Sequence, residues 1–89
     1  MDHNVLRSLV GKTFRPNVVE LEKLLSRVLD VKRVLQRGNT YFEIIGEEGW
    51  RLMIYTVVVN DSPDVRKPET FLRRKAVKLR IVSVRQVRT

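Results

Sequence analysis

Cysteine is absent from this 89-residue chain and histidine occurs once. Without thiols there is no disulfide framework and no thiolate metal site, so neither a stapled secreted scaffold nor a zinc ribbon is expected. His3 alone, near an N-terminus expected to fray, cannot assemble a histidine triad or a metal cluster. The four glycines stand at 11, 38, 46 and 49, and Gly11-Lys12-Thr13 lacks the glycine five places earlier that a phosphate-binding loop requires. No cofactor and no metal are therefore expected. Long apolar runs are missing too: Leu52 to Val59, the longest uncharged one, holds eight residues, against the roughly 20 of a membrane-spanning helix. The opening Met1-Asp2-His3-Asn4-Val5-Leu6-Arg7 mixes acid and base where a secretory signal needs a cationic start and an apolar core. The expectation is a cytoplasmic protein, with one domain over residues 1–89.

Catalytic constellations are equally scarce. Glu43, Glu47 and Glu48 fall on or beside a predicted hairpin and Asp61 and Asp64 in a predicted loop, where solvation accounts for them. Pro63-Asp64 resembles the start of a metal-dependent nuclease site, but the acidic-x-Lys that should follow is missing: the only later acid is Glu69, followed by Thr70 and Phe71. Zinc-finger, cold-shock and RNA-recognition signatures are not found. A protein without catalytic activity is expected. What the chain does have is 15 Val and 12 Arg beside two Gln, a usage that leans toward proteins working at high temperature.

Hydrophobic periodicity predicts an α+β fold. Pro16, Asn17 and Glu20 form an N-capping arrangement in which the Asn side chain accepts from a free amide and Glu20 reaches back. Val18, Leu21, Leu24, Leu25, Val28 and Leu29 then recur at helical spacing. Residues 31–37 fit two readings: a continuation of this helix up to Gly38, or a strand turning at Gly38-Asn39 into Thr40–Ile45. The strand is preferred. After the polar Gly46-Glu47-Glu48-Gly49 turn, Trp50–Val59 is predicted as a long strand with Trp50, Leu52, Ile54 and Val58 toward the helix. Its other face, bearing Arg51, Met53, Tyr55, Val57 and Val59, is too apolar to lie fully in water, which makes a homo-oligomer through Met53, Tyr55, Val57 and Val59 one expectation. A loop over Asn60–Pro68 follows, then a short helix over Pro68–Lys75 and a basic strand from Val77 to about Val87. The predicted architecture is thus an N-terminal helix on a mostly antiparallel meander of three or four strands.

Charge is distributed unevenly along the chain. Residues 1–64 hold nine Lys or Arg and nine Asp or Glu, whereas residues 65–89 hold nine basic residues and Glu69 alone, so the net charge of +8 is terminal. Such a block attracts polyanions and gains affinity by counterion release. Arg73, Arg74, Lys75, Lys78 and Arg80 are the predicted phosphate contacts, with Arg85 and Arg88 as outer ones; arginine's planar fork suits phosphates and base edges. Tyr55 and Phe71 are candidate base-stacking residues and Tyr41 a further one, although core packing is the stronger expectation for all three. Trp50 is expected in the core. The predicted function is binding of DNA or RNA with little sequence selectivity. The alternative is an assembly subunit that docks its basic end on an acidic protein partner.

Overall fold

The structure, a computed structural model, describes residues 2–38, 41–60 and 77–87. The chain starts with a short helix, α1 (His3–Leu9), whose N-cap Asp2 accepts a 2.8 Å hydrogen bond from the Asn4 amide. This is the segment that was expected to fray. A seven-residue helix is marginal by itself, but Leu6 and Leu9 lie on one side of it and are both buried, so docking into the core holds it. Gly11, at φ +94, turns the chain into β1 (Thr13–Phe14).

The predicted capped helix is α2 (Val18–Leu25), with Asn17 Oδ1 accepting from the Glu20 amide at 2.8 Å. The return half of the capping box is replaced: the Asn17 amide donates to the Arg15 carbonyl at 2.7 Å. Leu21 and Leu25 are fully buried. The helix stops at Leu25, and Val28, expected on the same stripe, is 49% exposed. Turns at residues 26–28 redirect the chain into a strand instead.

Four more strands follow: β2 (Val31–Arg37), β3 (Tyr41–Gly46), β4 (Arg51–Asn60) and β5 (Val77–Val87). Residues 31–37 are therefore strand and not helix. All neighbours pair antiparallel in the order β1-β5-β4-β3-β2. Among the described residues the protein is α+β, with two helices and a five-stranded sheet. The strand beyond the expected three or four is β1, whose two residues are too few to show a period. Between β2 and β3, pairing resumes with Tyr41 opposite Arg37, which leaves three residues in the connection where a two-residue turn was expected. Gly38 provides the positive φ of +70; Asn39 and Thr40, like the expected helix over Pro68–Lys75, lie outside the described residues. The β3–β4 turn closes with the Gly46 amide donating to the Trp50 carbonyl at 2.8 Å. The Trp50 indole lies against Gly46, where an added Cβ would collide with the ring.

Two bulges set the faces. Val31 pairs with Gly46 but Arg33 with Ile45, which leaves Lys32 as an extra residue in β2. Tyr55 pairs with Ser83 but Thr56 with Ile81, which leaves Val82 as an extra residue in β5. On one side of the sheet, Phe42, Ile44, Leu52, Ile54, Leu79 and Ile81 form a core with the leucines of both helices. Phe14 on β1 meets Phe42 on β3 edge to face, with ring centroids 5.6 Å apart. In a flat sheet three strand spacings, about 14 Å, would separate these strands. The sheet therefore curls around the helices, and its opposite face is convex.

Val58 departs from expectation: it shares the core side of β4 but is 62% exposed. The pairing of β3 with β4 ends at Tyr55, so from Thr56 onward β4 is held by β5 alone and runs beyond the covered part of the sheet. Among the described residues no helix is long and apolar enough to cross a membrane.

Candidate nucleic-acid interface

Strand registers fix which side chains share the convex face. Counting from β5 to β2, its rows read Arg80–Val57, Ser83–Tyr55–Tyr41–Arg37, Arg85–Met53–Glu43–Leu35 and Val87–Arg51–Ile45–Arg33, with Lys78 opposite Val59 beyond the first. Each convex row alternates along the strands with a row of core residues. The described strands carry six cations on this face, Arg33, Arg37, Arg51, Lys78, Arg80 and Arg85, and one carboxylate, Glu43. The core side of the same strands has no charged residue; Lys32, at the bulge, is the one charged strand residue outside this division.

The bulge at Val82 brings three of the predicted phosphate contacts together. On strict alternation Arg85 would point the same way as Leu79 and Ile81, toward the helices. The extra residue shifts the phase of β5, so that Arg85 joins Lys78 and Arg80. Arg80 and Arg85 are exposed and Lys78 is half-buried. Of the other predicted residues, Arg73, Arg74, Lys75, Arg88 and Phe71 lie outside the described residues.

Glu43 accepts from Arg51 Nη2 through Oε1, and its Oε2 lies 3.6 Å from Arg37 Nε. Its side chain is 14% exposed, so it is a bridged carboxylate and not the solvated one expected from its place in a hairpin. The hydrogen bond and charge of Arg51, helped by Arg37, hold its carboxyl below the ordinary value against the opposing effect of desolvation. Of the other described acids, Asp2 caps α1, Glu20 and Glu22 are on α2, Asp30 directly precedes β2, and Glu47 and Glu48 are in the β3–β4 turn, so none stands on a strand. The net-neutral part of the chain thus contributes Arg33, Arg37 and Arg51 to a basic surface, which counting charge along the sequence could not reveal. Strand pairing was the missing signal, since it alone separates Arg33 and Arg37 from the acids near them in sequence.

Tyr41 and Tyr55 face each other across β3 and β4, with ring centroids 5.7 Å apart and planes 32° apart. Both are half-buried and neither belongs to the core, contrary to the core packing expected for them. The Tyr55 hydroxyl donates to Met53 Sδ at 3.7 Å. Met53 and Val59 are half-buried and Val57 is 46% exposed, so the apolar strip expected on β4 does lie along this face. Met53, Arg85, Gln86 and Val87 line a shallow recess at its β5 side. Trp50 is half-exposed at the margin of the core. No protein-family model, curated protein or solved structure matches this chain.

Proposed function

We propose that this protein binds nucleic acid, without catalysis and with little sequence selectivity, through the convex face of its sheet. The observation that carries the proposal is the separation of charge among the described strand residues: six cations and one bridged carboxylate on the convex face, and no charged residue on the core side, with Lys32 at the bulge outside this division. A surface of that sign concentrates polyanions, and nucleic acid is the commonest polyanion in the cytoplasm, where we take the protein to act. Lys78, Arg80 and Arg85 hold phosphates, and Arg73, Arg74, Lys75 and Arg88 extend the same basic segment. Phosphate contact positions a ligand but carries no base information, hence the low selectivity.

The apolar strip along β4 supports a second reading, an assembly subunit that docks on an acidic protein partner. A second copy of this chain is a poorer fit. Two such faces would set like charges against each other, and two convex surfaces touch over little of the about 800 Å² per partner that a standard interface buries.

Binding to labelled duplex DNA, single-stranded DNA and structured RNA across about 50 to 300 mM salt tests the proposal. Affinity should fall linearly with salt on logarithmic axes, and the double variant Arg80→Ala, Arg85→Ala should lower that slope by about 2, one for each phosphate left without its arginine. If no ligand binds at the lowest salt, the reading fails and an acidic protein becomes the partner to seek.

A further inference from the structure

We infer that the ligand of the convex face is a single-stranded nucleic acid, with bases stacked on Tyr41 and Tyr55 and phosphates held by arginines on the strands to either side. This rests on the nucleic-acid reading and adds the form of the ligand.

On this face most cations stand on the two outer strands and most apolar groups on the two inner ones, with Leu35 on β2, Val87 on β5 and Arg51 on β4 as the exceptions. Arg80 and Arg85 stand on β5 and Arg33 and Arg37 on β2, while β4 and β3 between them present Tyr55, Tyr41, Met53 and Ile45. The two cationic strands are three spacings apart, about 14 Å before curvature. The central positive charge, Arg51, is committed to Glu43. An aromatic strip between two phosphate-binding rails matches a chain that offers unpaired bases and phosphates together.

A duplex matches less well on two counts. Its bases are stacked on each other and its grooves are hydrated, so the tyrosine strip would give up water and find no partner. Its major groove, about 12 Å wide, admits a helix or a two-stranded ribbon; this sheet of five strands is about 19 Å across. The sheet therefore cannot enter the groove, and a duplex on this face would meet the rails through its backbones and leave the tyrosines without bases. An acidic polypeptide would satisfy the rails but leave the tyrosines without flat partners.

The test is binding of the full chain to a 20-residue single strand, as DNA and as RNA, against the duplex of the same sequence at one salt concentration. The single strand should bind at least tenfold more tightly. Tyr55→Leu and Tyr41→Leu should each weaken single-strand binding by roughly 5- to 150-fold, the range for loss of one stacked base, and leave duplex binding unchanged. Tyr55→Phe should bind like the parent. In the unaltered protein, the ring protons of both tyrosines should shift upfield when the single strand is added, a readout that does not depend on whether the leucine variants fold. Duplex binding equal to or tighter than the single strand, or tyrosine resonances that stay in place on saturation, would overturn this inference and leave the nucleic-acid reading intact. Absence of binding to every oligonucleotide, with capture by polyglutamate, would overturn both.

Discussion

Glu43 is the one carboxylate on the convex face among the described residues, and it joins Arg37 on β2 to Arg51 on β4. Its carboxyl is held below the ordinary 4.5, so the folded state binds a proton there less readily than the unfolded chain does. The stabilisation is therefore complete above that value and is lost as pH falls through the folded-state value. Glu43→Gln should lower the melting temperature at pH 7, and the gap from the parent should close as the pH drops below 4.5. The same variant removes the one negative charge that the described residues place on the face and should tighten nucleic-acid binding while it weakens the fold, an opposition that parallel thermal and binding titrations would detect. Gly46→Ala acts by volume alone, because φ at this glycine is not in the left-handed region. Its methyl would push the Trp50 indole away at a cost of about 1–3 kcal/mol, visible in denaturant titration together with a shift in tryptophan emission. Neither effect was legible in the sequence. Arg37, Arg51 and Trp50 meet their partners only through strand pairing and turn closure, which periodicity does not encode.

Helix α2 was legible and α1 was not, and length explains the difference. Asn17 and Glu20 open a stretch with six apolar residues at helical spacing, whereas α1 offers Asp2 and two leucines. Asn17→Ala should cost about 1 kcal/mol through loss of the hydrogen bond to the Glu20 amide. Leu25→Ala, at a fully buried position, should cost about 2–5 kcal/mol. Urea unfolding of both variants would rank capping against packing, and a larger loss at Asn17 would contradict the description of α2 as held mainly by its buried face. Strands β3 to β5 were readable from turn residues and alternation and β2 only as the preferred of two readings, while the faces of all four were readable only in part. In β5, Lys78 and Arg80 share a face as alternation requires. Arg85 joins them across the bulge at Val82, and no propensity marks that position.

Across the whole molecule, charge sorted by face differs from charge sorted by position. The first 64 residues are neutral by count and the net +8 lies in the last 25, yet half of the cations described on the convex face belong to the neutral part. Arg33→Ala with Arg37→Ala should therefore flatten the salt dependence of binding about as much as Arg80→Ala with Arg85→Ala does, by about 2 in slope. If only the β5 pair matters, the contact is confined to the basic end of the chain and the tyrosine strip is not its centre. Finally, Val82 has no partner on β4, so a chain lacking it would still set Ile81 opposite Thr56 and Ser83 opposite Tyr55. A residue added between Ser83 and Arg85 would instead turn Arg85 toward the leucines. In the gene, the loss of one codon at Val82 is thus a change in sheet shape that leaves Arg80 and Arg85 outward. The gain of one codon a few bases downstream reverses the orientation of the end of β5, and related genes should show the first kind of length change far more often than the second.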